Sequence, residues 1–168
     1  MIIFLTGPTG SGKTDTSWAL VSALDDIVFL DCDWFASRSP FSWKDSTAVV
    51  SVYRAMRSQI HFHLGEGRKQ FVVTLTLEMA ALFQTHYSSF ADFDRPMHAF
   101  RFSSRPDVVK RRIISRDRIQ KDEEAANAIL QQVEFDRLFP DETIFLCIDT
   151  SDLASDEVAK LIVQRVNG

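Results

Sequence analysis

Gly7-Pro8-Thr9-Gly10-Ser11-Gly12-Lys13-Thr14 is the run from which the rest of this chain is best read. It fits G-x-x-x-x-G-K-[ST] in full, and it follows a short apolar run, Ile2–Thr6, and precedes a segment of helical period. That strand-loop-helix context is the one the pattern requires. Glycines let backbone N–H groups turn inward around phosphate oxygens, and the N-terminus of the following helix adds partial positive charge at the same point. Gly7, Thr9, Gly10, Ser11 and Gly12 are therefore candidate nucleotide-binding residues. Lys13 would reach the β- and γ-phosphates of ATP, and the Thr14 hydroxyl would ligate Mg²⁺. No N-K-x-D base-recognition motif follows, which argues against a GTPase.

Outward from this loop, short apolar runs alternate with longer segments of helical period. Ile2–Thr6, Ile27–Asp31, Phe71–Thr74, His98–Ser103 and Thr143–Ile148 read as strands buried on both faces. Strands separated by helices predict an α/β fold with a parallel sheet. The first helix should run to about Leu24 with Trp18, Leu20, Val21 and Leu24 on its apolar face. Trp34–Lys44 reads as a loop, followed by a helix from Ser46 to Leu64 that stops before Gly65 and Gly67. Ser104-Arg105-Pro106-Asp107 looks like a capping box opening a helix through Arg116. A further helix should reach Leu138 before Pro140, and Ser155 should cap the last one.

Phe29-Leu30-Asp31-Cys32-Asp33 places two carboxylates at alternate positions at the end of the second strand, where ligands gather in open parallel sheets. If the strand conformation persists, both point to one side. Asp31 is then assigned to Mg²⁺ and Asp33 to the acceptor hydroxyl, which it would orient or deprotonate. With the P-loop, this D-x-D resembles the shikimate-kinase-like branch of the nucleoside-monophosphate-kinase superfamily. The resemblance implies the same two roles, and a three-layer P-loop NTPase fold with a five-stranded parallel sheet in the order 2-3-1-4-5.

Arg112 and Arg116 lie four apart on one helix face. The segment Val109–Arg116 is similar to the helix before the lid in adenylate-kinase-like enzymes. That similarity implies that Arg112 stacks on adenine and that Arg116 or Arg118 stabilises the transferring phosphoryl group. Asp149-Thr150-Ser151 resembles the family's adenine-contacting turn, with Thr150 the residue concerned. A short lid is expected over about residues 117–125.

The acceptor side is less defined. True shikimate kinases carry a glycine triplet after the third strand, whereas this chain has Thr74-Leu75-Thr76-Leu77-Glu78, so shikimate is not the expected acceptor. Thr76 is a candidate acceptor contact, and Glu78 is the acid that would have to reach in. Residues 34–66 should cover the acceptor. Arg38, Arg54 and Arg57 in that segment would suit a phosphate- or carboxylate-bearing compound, or are solvated helix charges. Trp34, Phe35, Phe41, Trp43 and Tyr53 suit a planar acceptor or core packing equally. His61 and His63 do not share a helix face and predict no metal site.

At 168 residues with 45% hydrophobic and 25% charged residues, one domain spanning 1–168 is expected. The net charge of −4 and the absence of a basic stripe disfavour a long nucleic-acid ligand. Cys32 and Cys147 read as buried small residues within strands. No signal peptide or membrane span is predicted, so the expected setting is cytoplasmic, as a monomer or homodimer. These features together predict a kinase using ATP and Mg²⁺ on a small-molecule hydroxyl. The alternatives are a kinase of polynucleotide 5′-hydroxyls or nucleotide sugars, and a non-catalytic ATP sensor.

Overall fold

The computed structural model describes residues 1–115, 121–141 and 143–167. Five strands form one sheet: β1 (Ile2–Thr6), β2 (Ile27–Leu30), β3 (Gln70–Thr74), β4 (Met97–Ser103) and β5 (Leu146–Asp149). All pairings are parallel, in the order β2-β3-β1-β4-β5. The helices are α1 (Lys13–Ala23), α2 (Cys32–Ala36), α3 (Ser46–Gly65), α4 (Leu77–Ala91), α5 (Pro106–Ile114), α6 (Lys121–Leu138) and α7 (Ser155–Asn167). None of the described helices is long and apolar enough to cross a membrane.

Strand alternation divides β1 between two cores. Ile2 and Phe4 pack with residues of α3, α4 and α6, whereas Ile3 and Leu5 pack with Leu20 of α1 and Val158 and Ile162 of α7. Much of the phenylalanine content serves the first core. The Phe4 ring meets Phe83 and Phe90 edge-on at 4.9 and 5.1 Å, and truncating a buried ring of this kind costs about 3–5 kcal/mol. A third, smaller cluster joins Val109 and Ile113 of α5 to Ala125 and Ala128 of α6.

Several sequence expectations need correction. The strand conformation does not persist through Asp31. Its carboxylate accepts the Asp33 N–H at 3.1 Å and caps α2, so Cys32 starts a helix and part of the expected Trp34–Lys44 loop is helical. β5 begins at Leu146 because the Asp141 carboxylate accepts both the N–H and the hydroxyl of Thr143, holding that residue in a turn. Trp18 is not on the apolar face of α1: it stays 52% exposed with its ring edge against Phe29. The N-cap of α5 is Arg105 without a side-chain cap bond, and Ser104 turns inward instead. Ser155 is the first residue of α7, not its cap, and Glu157 reaches back to the Ala154 N–H at 2.8 Å. α4, for which the sequence reading sets no boundaries, is capped by the Thr76 hydroxyl accepting from the Met79 N–H.

Candidate nucleotide and acceptor site

Because β1 is central, its carboxyl end delivers the P-loop to the middle of the sheet edge. Gly7 and Gly10 carry φ of 146° and 80°, and a Cβ on Gly7 would sit 2.7 Å from the Phe102 carbonyl oxygen. The loop therefore fits only with glycine there. α2, α3 and α4 are capped by the side chains of Asp31, Asp45 and Thr76, whereas α1 has no side-chain cap. With no side chain over it, the positive end of α1 faces the loop, as an anion site requires. The Lys13 ammonium donates to the carbonyls of Gly7 at 2.8 Å and Pro8 at 3.1 Å, folded over the loop it would leave to meet phosphate.

On one side of the loop, Gly10, Gly12, Thr14, Arg112, Thr150 and Ser155 line a cavity of about 740 Å³. Arg112 donates to the Thr150 carbonyl at 2.6 Å and to the Thr150 and Ser104 hydroxyls at 3.2 and 3.3 Å. The buried Ser104 and Thr150 hydroxyls lie 2.6 Å apart, and Thr150 donates to the Ser11 carbonyl at 2.9 Å. Burial, then the neighbouring Arg111, lowers the Arg112 pKa from its usual value. Arg105 braces this corner through a bidentate pair with Asp152 at 2.7 and 2.8 Å. The structure thus brings Arg112 and Thr150 together beside the loop. Arg116 and Arg118 lie outside the described residues, as do positions 117–120 of the expected lid; its remaining positions, 121–125, are a correction, since they form the first turns of α6.

On the other side, a cavity of about 350 Å³ opens on Gly7, Thr9 and Lys13 and takes in Asp31, Asp33 and Thr76. Asp31 accepts the Thr74 hydroxyl at 3.0 Å, fixing one carboxylate oxygen against β3. The Asp31 and Asp33 carboxylates and the Cys32 sulfur offer ligand atoms within 4.8 Å of one another. Burial, then the charges of Asp33 and Asp31, pushes the Cys32 thiol up to about 12, and the two aspartates supply the oxygen donors of the group. Oxygen donors suit Mg²⁺. The two aspartates therefore do open on one cavity, but through the α2 cap rather than through strand alternation.

The arginines expected around the acceptor are a correction. Arg57 pairs with Asp92 at 3.0 Å and lies over Phe93, Arg38 bonds Ser51 and lies over Phe41, and Arg54 is exposed. None of them lines the cavity. Trp43 does line it, whereas Tyr53 is buried in the core with its hydroxyl on the Met79 carbonyl. Sequence reasoning missed Gln131 and Glu124 of α6. Gln131 accepts the Thr9 N–H at 3.0 Å, and both residues line the same cavity as Asp31 and Asp33. Their spacing of seven, two helical turns, was the available signal, but it names a face and not what the face meets.

A family model described as AAA domain matches residues 2–136. Among solved structures, the chain is similar to a tunicamycin resistance protein from Deinococcus radiodurans (19% identity, 98% of this chain and 94% of that one, TM-score 0.68). It is also similar to a shikimate kinase from Bacteroides thetaiotaomicron (18% identity, 99% and 98%, TM-score 0.67). A sugar kinase from Janibacter sp. HTCC2649 is comparable (15% identity, 99% and 94%, TM-score 0.69). No curated protein matches the sequence.

Proposed function

The chain belongs to the AAA-domain family and has the fold of shikimate-kinase-like P-loop kinases, and from that premise we propose that it is an ATP-dependent phosphotransferase acting on a hydroxyl of a small molecule. The observation that carries this reading is the opening of Asp31 and Asp33 onto the same cavity as Gly7 and Lys13. A nucleotide sensor needs the loop but has no use for a carboxylate at the acceptor position.

In this reading Arg112 and Thr150 position the adenine, and the loop amides and the α1 N-terminus hold the phosphate oxygens. Lys13 swings from the Gly7 and Pro8 carbonyls to the β- and γ-phosphates. Mg²⁺, held by Thr14 and Asp31, supplies neutralisation of phosphate charge when bound. Asp33 orients the acceptor hydroxyl and takes its proton as the oxygen attacks the γ-phosphorus, while the bond to the β–γ bridging oxygen breaks and ADP leaves. Arg116, or Arg118, is assigned the charge that develops on the transferring group.

The test is ADP release from Mg·ATP by wild type and Asp33→Asn across metabolites, nucleosides, aminoglycosides and short oligonucleotides. Stimulation by one class in the wild type and its loss in the variant is the expected result. ATP binding with no stimulation by any class would discard the kinase reading in favour of the sensor.

A further inference from the structure

We infer that Thr74 is a positioning residue for the metal: its hydroxyl holds Asp31 as a ligand through one carboxylate oxygen, Oδ2, an arrangement that suits Mg²⁺ better than Ca²⁺. This rests on the proposed assignment of Asp31 to Mg²⁺ and names the residue that enforces it.

Thr74 is the last residue of β3 and is buried. β3 pairs with β2 up to Leu30, opposite Val73, so the Thr74 side chain meets the chain where β2 gives way to α2. Its hydroxyl donates to Asp31 Oδ1 at 3.0 Å and accepts the Cys32 N–H at 3.3 Å, with the Cys32 sulfur at 3.9 Å. A hydroxyl has a single proton to give, and the charged oxygen is both nearer and the stronger acceptor. Thr74 thus ties the capping carboxylate, and the first residue of the helix it caps, to the neighbouring strand. The shape of this side chain asks for none of this, because valine has the same branching and fills the two preceding positions of β3. What threonine adds there is the hydroxyl, and its proton goes to the Asp31 turn.

Asp31 Oδ1 is engaged a second time, by the Asp33 N–H at 3.1 Å. A carboxylate oxygen offers roughly two acceptor positions, so one donor from the strand and one from the helix fill Oδ1. Oδ2 accepts nothing among the described residues, and Asp31 lines the cavity together with Thr14. The two donors therefore choose which oxygen is left for a cation. Ca²⁺ readily takes both oxygens of one carboxylate, whereas Mg²⁺ is smaller, demands an octahedral shell and keeps several waters. A carboxylate with one open oxygen fits the second ion. Partners that orient a ligating group in this way are worth about 10–100-fold in metal affinity.

The experiment uses the whole chain, Mn²⁺ as a paramagnetic probe that favours oxygen ligands, and a non-hydrolysable ATP analogue; no acceptor is needed. Electron paramagnetic resonance reads Mn²⁺ bound by the protein–analogue complex, and calorimetry in EDTA reads the analogue without metal. Thr74→Val should weaken Mn²⁺ binding by about tenfold and leave the affinity for the metal-free analogue unchanged. Thr74→Ser, which keeps the hydroxyl, should restore the wild-type value. With Oδ1 partly freed in Thr74→Val, the preference for Mg²⁺ over Ca²⁺, read by competition against Mn²⁺, should narrow by about threefold, the scale of one hydrogen bond. If the valine variant does not fold, Thr74→Cys, whose thiol is a weaker donor, takes its place with the same expected directions. Unchanged Mn²⁺ affinity, a parallel loss of metal-free analogue affinity, no rescue by serine, or an unchanged ion preference overturns the inference. Mn²⁺ binding that survives Asp31→Asn overturns it too, by removing Asp31 from the metal. A sensor that binds Mg·ATP would give the same titration as a kinase, so this experiment and the acceptor screen fail separately.

Discussion

On the side of the P-loop proposed for adenine the wall is mostly glycines, short hydroxyl side chains and small apolar residues, with Asp15 and one guanidinium tied to the Thr150 carbonyl. On the side proposed for the acceptor, charged side chains come from helices that start after β2, β3 and β4, and Trp43 joins them from the turn before α3. Gly10, Gly12 and Thr14 belong to both. The difference follows from what each side must read. A nucleotide presents the same phosphates to every enzyme that uses it, and backbone amides suffice for them. An acceptor differs from enzyme to enzyme, and only side chains encode that difference.

The contrast can be broken or sharpened by substitution. Asp33→Asn should lower kcat by about 10³-fold, the scale of losing a general base, while the Kd for ATP measured by calorimetry stays within about twofold; a parallel loss of ATP affinity would merge the two sides. Lys13→Ala should cost about 10²-fold in kcat through lost phosphate charge stabilisation, read in single-turnover assays. Arg112→Ala should weaken ATP binding by about tenfold, since it removes the guanidinium that Thr150 and Ser104 hold beside the cavity, and should leave acceptor KM unchanged. Gln131→Ala, which frees the Thr9 amide, should slow turnover only about threefold, on the scale of one neutral hydrogen bond.

A pH experiment gives the smallest effect. Burial first, and the charges of Asp33 and Asp31 after it, hold the Cys32 thiol at about 12. Because the folded pKa is raised, the thiolate is suppressed throughout pH 7–9. Iodoacetamide should therefore label the partly buried Cys147 before Cys32, and mass spectrometry of the two peptides reads the order. Faster labelling of Cys32 would mean that the acceptor side is more open than its geometry implies.

How much of this was legible in the sequence tracks how local each feature is. The P-loop is eight contiguous residues whose glycines answer to backbone conformations set within the loop, and it reads directly. Sheet order follows from the alternation of strands and helices with the family resemblance. Asp31 and Asp33 were legible as residues but not as geometry, because an Asx cap competes with strand extension and wins at Asp31. Arg57 was misplaced because helical spacing does not tell which neighbour lies across from it, and Asp92 is 35 positions away. Ser104 looked like a cap, yet its hydroxyl is drawn inward to Thr150, 46 positions on. Glu124 and Gln131 reach the cavity of Asp31 and Asp33 because α6 lies against the loop at Thr9.

β1 is made first and lies in the middle, paired with β3 on one side and β4 on the other. On the ribosome, where synthesis runs from the N-terminus, Gly7 to Thr14 emerge early and wait. The loop gains its Thr9 anchor only when Gln131 has been made, and its Ser11 anchor only with Thr150, 139 positions later. A loop made before four of the five strands is thus among the last parts to be finished, and a chain cut short anywhere before β5 is born without the Thr150 anchor of that loop.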